Sequence, residues 1–223
     1  MKKVLMSVIV IGLVATVGSA ANTLAVNGTA AANGTNYGLE VIFDGSGSVA
    51  KVVDNTPVDE TTYRAEFWFH PNSCPMGGTG SIGHYFSLMR ATDQQTFRSS
   101  FQLLLTNKFN LYRLSGRAGT NSPGVFKITS RINLDPTAWH KIRVELTNSP
   151  TPGTPGGDLL ITIVEGPQAG MSVSSSGFHG VGINNSNITA DDLHMGAVGN
   201  VDTTITGGSM YFDEFESYRT LAP

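Results

Sequence analysis

The sequence contains a single cysteine, Cys74, so no disulfide can form within one chain. A domain without cross-links must be held by its hydrophobic core, and a chain of 223 residues is long enough to bury a sizeable one. Cys74 lies in the turn-rich segment HPNSCPMGG, and this setting favours a small loop residue over a reactive or dimer-forming thiol. The sequence therefore gives little support to a function based on cysteine chemistry.

Charged side chains are also scarce, at 14% of residues, and the net charge is −3. No long run of Lys and Arg is present, which argues against a nucleic-acid partner because phosphate binding needs clustered cations. Helix-favouring Glu, Lys, Arg and Gln are few, whereas Thr, Ser, Val, Gly and Phe are plentiful. This balance predicts strands joined by turns. The chain also lacks the HExxH, paired-cysteine and GxSxG motifs of metal and hydrolase sites.

One long apolar run exists, and it lies at the N-terminus. Lys2 and Lys3 precede the apolar residues 4–17, and small residues follow in GSAANTLA. This order predicts a secretory signal peptide over residues 1–21, with a retained membrane anchor as the alternative. No second stretch is long enough to span a bilayer. We therefore expect a secreted protein without a membrane span after cleavage, located in the periplasm, at the cell surface or outside the cell.

The rest of the chain divides into a leader and a domain. Residues 22–37, NTLAVNGTAAANGTNY, are small and polar and predict a flexible leader. Residues 38–223 contain roughly ten to twelve short strand-like runs separated by turn residues, with no amphipathic helix. The spacing predicts one all-β domain, a two-sheet antiparallel β-sandwich or jelly roll.

Several of these runs alternate cleanly between apolar and polar residues. TYRAEFWF at 62–69 and WHKIRVELT at 139–147 each place one apolar face opposite a polar one. The latter is expected to pair as a hairpin with LLITIVEG at 159–166. A second hairpin is predicted between FQLLL at 101–105 and LYRL at 111–114.

The segment GSMYFDEFESYR near the C-terminus also alternates, and it raises a question. At period 2, Tyr211, Asp213 and Phe215 share one face, so a carboxylate lies between two aromatic rings on what the pattern predicts to be a buried face. An unpaired buried charge is very costly, so Asp213 needs a partner. A metal ion or a nearby arginine, Arg64 or Arg219, could supply it; alternatively, a β-bulge could turn the acid outward.

The order of motifs resembles a known superfamily. A first strand ends in FDG at 43–45, the pattern PxxExxYRAxF at 57–67 introduces a strong strand, WHKIRVEL follows at 139–146, and the chain closes on FDEF at 212–215. This order is similar to that of the concanavalin A-like lectin/glucanase superfamily, in particular bacterial laminin G-like jelly rolls, over about residues 38–220.

The resemblance implies two curved sheets in which the first and last strands are neighbours. It also implies a structural calcium ion, and the adjacency of these strands suggests that Asp213 binds it with help from Asp44 or Glu40. Many members of the superfamily bind carbohydrate on a sheet or at its edge loops. Fold alone does not fix function, because the same fold is used by lectins, hydrolases, lyases and adhesion modules.

Sugars stack on exposed aromatic rings, so the outward-facing aromatic residues are the candidate ligand contacts. These are Trp68, Tyr85, Tyr112 and Trp139. The expected partner is a glycan or another cell-surface or matrix component. The alternative is a structural, adhesive or self-assembling surface protein that binds protein or itself.

Catalysis is the less favoured hypothesis. Glucanases of the superfamily carry an ExDxE or ExDxxE pattern on one strand, and the nearest match here, DEFE at 213–216, has Phe212 where the first acid would be. Polysaccharide lyases of this fold combine Arg, Gln, His and Tyr on one sheet. Candidates of those types exist, but no motif joins them: Arg113, Gln102, His84 and Tyr112. The sequence predicts a non-catalytic binding module.

Overall fold

The computed structural model describes residues 21–55, 57–77, 84–201, 203, 205 and 207–219. These residues form fourteen strands and one helix of five residues. The elements are β1 (Thr23–Asn27), β2 (Gly38–Ile42), β3 (Ala50–Asp54), β4 (Thr62–His70), β5 (His84–Asp93), β6 (Arg98–Lys108), β7 (Leu111–Gly119), β8 (Phe126–Ile128), β9 (Ile132–Leu134), β10 (His140–Thr147), β11 (Asp158–Glu165), β12 (Ser172–Ser174), α1 (Ser175–His179), β13 (Asp192–Gly199) and β14 (Ser209–Tyr218).

The strands form two seven-stranded antiparallel sheets. Sheet A has the order β1-β2-β14-β4-β10-β11-β12. Sheet B has the order β3-β13-β5-β6-β7-β8, with β9 also pairing with β7. The predicted all-β, two-sheet sandwich is therefore confirmed.

Alternating burial explains why the strands adopt this arrangement. Along β10, His140, Ile142, Val144 and Leu146 are buried while the residues between them are half-exposed. Both predicted hairpins are present, with Val144 opposite Ile161 and Leu105 opposite Leu114. The central strands turn their apolar faces towards the other sheet, which removes both inner faces from water.

Aromatic contacts join the two sheets through the core. The rings of Tyr63 on sheet A and Phe101 on sheet B have centroids 6.1 Å apart. Phe43, just after β2, meets Phe86 of β5 edge-on at 5.5 Å. Such pairs stabilise by about 0.5–1.5 kcal/mol beyond the area they bury.

The first and last strands of the predicted domain are neighbours, as expected. β14 lies between β2 and β4, with Tyr211 opposite Glu40 and Phe212 opposite Phe69. A β-bulge interrupts β14 between Asp213 and Glu216, and Glu214 in the bulge has a φ of 47°.

The bulge corrects the predicted faces of β14. Asp213 lies opposite Trp68 on the outer face of sheet A, whereas Phe215 packs against the core. The period-2 pattern placed both on one face, which is wrong because the extra residue reverses the alternation. Asp213 is thus not a buried charge between two aromatic rings.

The segment predicted to be a flexible leader is part of the sandwich. β1 extends sheet A by pairing with β2, with Val26 opposite Leu39. Ala30 and Ala32 are fully buried in the connection between these strands. The prediction of a leader outside the domain is wrong for Thr23–Asn27, because these residues pair with β2 and form an edge strand of sheet A.

The predicted signal peptide, residues 1–21, lies outside the described residues except for Ala21. Within the described part of the chain, no helix has the length and apolar character needed to cross a membrane.

Gly38 sets the path of the connection between β1 and β2. A Cβ atom at this position would lie 1.8 Å from the carbonyl oxygen of Ala30 and 3.1 Å from that of Phe212. We predict that Gly38→Ala lowers the free energy of unfolding by about 1–3 kcal/mol, because backbone must move to admit the methyl group. Urea denaturation measures the change. Gly28→Ala is the matched control, since its nearest neighbour, the Asn36 oxygen, lies at an ordinary 3.5 Å; equal losses in the two variants would contradict this explanation.

Buried histidines make the stability depend on pH. Burial lowers the pKa of His140, whose side chain is fully buried, and burial also lowers the pKa of His70. In the unfolded chain a histidine has a pKa of about 6.5, so between neutral pH and lower pH the unfolded state gains protons that the folded state does not.

We therefore predict that the urea midpoint falls from pH 7.5 to pH 5.5, above the range in which carboxylates titrate. In His140→Gln this pH-dependent difference is expected to be smaller, whatever the stability of the variant at pH 7.5. An unchanged difference would show that His140 does not contribute.

Candidate functional site

The outer face of sheet B carries a row of arginine residues, here called the cationic face, which consists of Arg90, Arg113, Arg117 and Arg131. Arg90 of β5 and Arg117 of β7 both lie opposite Gln102 of the intervening strand β6. Arg113 lies opposite Thr106 on the same side of the sheet. Alternation along each strand turns these side chains away from the core.

A groove of about 360 Å³ runs over part of this face. Its polar lining comes mainly from β5, β6 and β7 and the segment after β8: Tyr85, Thr106, Lys108, Arg113, Arg117 and Arg131. None of the described residues that line it is an aspartate or glutamate. Tyr85 is 43% exposed and presents its ring beside these cations.

Neutral groups hold Arg117 in place. Its Nε donates a hydrogen bond of 2.8 Å to Oε1 of Gln102, and its guanidinium lies 4.8 Å from the ring centroid of Phe126. Gln102 is itself fixed, because its Oε1 also accepts from Ser87 and its Nε2 donates to Ser99. The terminal nitrogens of Arg117 are thus oriented without an ion pair.

Arg90 lies near Arg117, so two positive charges are close together on this face. Its Nε is buried and has no hydrogen-bond partner among the described residues. Burial lowers the pKa of Arg117, and the nearby charge of Arg90 acts in the same direction. Within the described ranges, no acidic side chain forms an ion pair with any residue of the cationic face.

A different polar cluster borders the cationic face at β13. Lys51 Nζ lies 2.9 Å from Nδ1 of His194, and Nε2 of His194 lies 3.2 Å from Oδ2 of Asp192. Burial and the charge of Lys51 lower the pKa of His194, so the imidazole is neutral near pH 7. A neutral ring that accepts from Lys51 at Nδ1 carries its proton at Nε2, directed at Asp192.

The structure separates the four aromatic residues predicted to bind ligand. Only Tyr85 lies in the groove. Tyr112 lies on the inner face and is 8% exposed, and its hydroxyl donates to the carbonyl oxygen of Cys74. The two tryptophans, Trp68 and Trp139, are on the outer face of sheet A.

Trp68 is 4% exposed because its neighbours cover it. Its Nε1 donates a 3.0 Å hydrogen bond to Oε2 of Glu214 in the bulge, and the ammonium group of Lys141 lies 5.9 Å from its ring. Trp139 is half-buried against His70 and Tyr211, with ring centroids 5.2 and 6.3 Å away. Neither ring is freely available for stacking.

The four residue types considered for a lyase are only partly brought together. Gln102 and Arg113 share the outer face of sheet B, whereas Tyr112 points into the core. The side chain of His84 lies outside the described part. Sequence analysis missed Arg90, Arg117 and Arg131. Their signal was the same-face spacing of Arg113 and Arg117 on one strand, but Arg90 and Arg131 could be added only once the strand order was known.

The carboxylate of Asp213 holds the connection between β1 and β2. Its Oδ2 accepts a 2.7 Å hydrogen bond from the Ala32 N–H and another from the Thr35 hydroxyl. Its Oδ1 accepts a 2.7 Å hydrogen bond from the N–H of Glu214. Three donors therefore surround this acid, and they explain why a carboxylate occupies the strand.

The other two predicted calcium ligands have their own partners. Glu40 Oε2 accepts from Asn27 at 2.6 Å, and Asp44 Oδ1 accepts from the Ser46 N–H at 2.9 Å. In the described residues, no group of three or more His, Cys, Asp or Glu side chains is placed to hold a metal ion. Both oxygens of Asp213 accept hydrogen bonds from protein groups, and the structural calcium ion stays a prediction.

Cys74 is buried, and burial raises its pKa to about 12. A buried thiol with a raised pKa is a poor nucleophile, so the structure agrees with a packing role in the loop.

No protein-family model matches the sequence, and no curated protein matches it either. The solved structures similar to it include the cellulose induced protein Cip1, with a TM-score of 0.52 at 12% identity, covering 90% of this chain and 87% of that one. They also include the PL-14 alginate lyase from Aplysia kurodai, with a TM-score of 0.51 at 13% identity, covering 82% and 83%. At these identities the similarity shows a shared β-sandwich fold.

Asp213→Asn tests the structural role of the acid. The amide replaces an accepting oxygen with a nitrogen that cannot accept, so at least one donor is left without a partner. We expect the free energy of unfolding to fall by about 1–3 kcal/mol in urea denaturation. Glu40→Gln, which disturbs a single side-chain hydrogen bond, is the control and should lose less.

Melting with a chelator or with added calcium tests the metal prediction separately. Because the described partners of Asp213 are donors, we expect equal melting temperatures under both conditions. Stabilisation by calcium that disappears in Asp213→Asn would instead establish a metal site at this residue.

Proposed function

We propose that this protein is an exported carbohydrate-binding module of the concanavalin A-like kind, and that it binds a glycan on the outer face of sheet B. The groove over β5, β6 and β7 carries the proposal: it places the exposed ring of Tyr85 beside the guanidinium of Arg117, which Gln102 holds in position. An aromatic ring for stacking beside directed hydrogen-bond donors is the combination that sugar recognition requires.

The fold supports a sugar ligand without identifying one. One structural neighbour is named a cellulose induced protein and another an alginate lyase. Both share only the fold with this chain, so the proposed site depends on the groove residues themselves.

Binding is favoured over hydrolysis by the composition of the groove. Glycoside hydrolysis uses two carboxyl groups on either side of the scissile bond. The described lining of the groove contains neither Asp nor Glu, and Asp192 nearby is engaged by His194 and Gln94.

Tyr85→Ala tests the site directly. We expect binding to a retained polysaccharide to weaken by about tenfold, which corresponds to losing roughly 1.4 kcal/mol, while the melting temperature stays unchanged because the ring is exposed. Tyr37→Ala is the matched control, since Tyr37 is 67% exposed and lies away from this groove. Affinity electrophoresis in polysaccharide gels or a glycan array provides the measurement.

Equal retention of the two tyrosine variants would place binding elsewhere. Release of reducing ends or of unsaturated sugars from a polysaccharide would show that the protein is an enzyme. A large assembly in size-exclusion chromatography, without binding to any glycan, would instead support the structural or self-assembling alternative.

A further inference from the structure

The two sheets differ in whether their outward-facing cations are paired with carboxylates. On sheet A, Arg64 and Arg143 both donate to Oε1 of Glu66, and Lys141 lies 3.5 Å from Glu165. Although burial opposes it, the hydrogen bonds from the two arginines hold the pKa of Glu66 below its ordinary value. The outer cations of sheet A are thus neutralised within the protein.

On sheet B, no carboxylate among the described residues pairs with the cations of the cationic face. The chain has 17 acidic and 14 basic residues, yet no described carboxylate pairs with the cationic face. Arg117 is held instead by a neutral amide and an aromatic ring. Because the chain has an excess of acid, the lack of a described carboxylate paired with these arginines is a local feature rather than an effect of composition.

The positions of the charges match an extended ligand. Arg90, Gln102 and Arg117 are neighbours across three strands, which places the two arginine backbones about 10 Å apart on either side of the glutamine. Arg113 precedes Arg117 by four residues on β7, a further separation of about 13 Å along the strand. The separation between Arg113 and Arg117 suits repeated anionic groups on a polymer better than one small anion.

Guanidinium groups held close together repel each other until an anion lies between them. Their planar donors form paired hydrogen bonds with carboxylates and with the oxygens of sulfate groups. Since Gln102 already fixes Arg117, little side-chain motion would be lost on binding.

We infer that the glycan bound at this face is a polyanion, with Arg90 and Arg117 receiving one of its carboxylate or sulfate groups above Gln102. This inference rests on the proposed function and specifies the class of its ligand. The remaining cations, Arg113 and Arg131, contact charges on neighbouring sugars of the same chain.

The first test compares polysaccharides of different charge by isothermal titration calorimetry. Alginate and polygalacturonate carry carboxylates, carrageenan carries sulfates, and dextran and laminarin are neutral. We expect the anionic polymers to bind at least about tenfold more tightly than the neutral ones, and the affinity to fall as sodium chloride rises. The carboxylated and sulfated arms distinguish the two sources of the anion.

The second test uses variants of equal net charge. Arg90→Gln and Arg117→Gln should each weaken binding of the preferred polyanion by about tenfold or more. Arg143→Gln removes one positive charge from the outer face of sheet A, and Glu66 retains Arg64 as a partner there. Arg143→Gln should therefore bind normally, and thermal melting verifies that all three variants fold.

The outcomes separate the inference from the proposed function. Stronger binding of a neutral glycan, lost in Tyr85→Ala, would overturn the inference and keep the carbohydrate site. Equal weakening in the Arg143 and Arg117 variants would show a general charge effect and also overturn the inference. Failure to bind any polysaccharide would overturn both.

Discussion

Burial of the inner faces of sheets A and B is the interaction on which every other feature depends. With one cysteine and no possible disulfide, the two sheets are held by apolar side chains such as Phe67, Leu103 and Ile161, all fully buried. Because side chains alternate along a strand, committing one face to the core commits the other to the outside. The side chains of the outer faces are not constrained by the core, and they differ between sheets A and B.

On the outer face of sheet A, charged and polar side chains are paired with other groups of the same protein. Glu66 joins two arginines, Glu214 accepts from Trp68, and Asp213 ties down the connection after β1. On sheet B, Arg117 is held by neutral partners, and an open groove lies beside it. A surface whose charges are already paired has little to offer a charged ligand, so the asymmetry between the sheets is the main reason to place recognition on sheet B.

The sequence predicted the sandwich well because alternation of apolar and polar residues with period 2 is enough to identify strands and their buried faces. The strand at 139–147, its partner at 159–166 and the hairpin through β6 and β7 all follow from alternation and turn residues. The bulge at Glu214 could not be found this way, and with it the faces of Asp213 and Phe215 were misassigned. Tyr112 was placed outward although it alternates in phase with the buried Leu114. The arginine pair was beyond sequence analysis, because Arg90 and Arg117 meet only through the order of three strands.

The position of β14 has a consequence for how the chain reaches its folded state. This strand is inserted between β2 and β4, so the interior of sheet A has a gap until residues 209–218 have left the ribosome. Glu40 and Tyr211 lie opposite each other in neighbouring strands, although most of the chain separates them in sequence. Closing so long a loop is slow, so sheet A is completed only after the C-terminal strand is available.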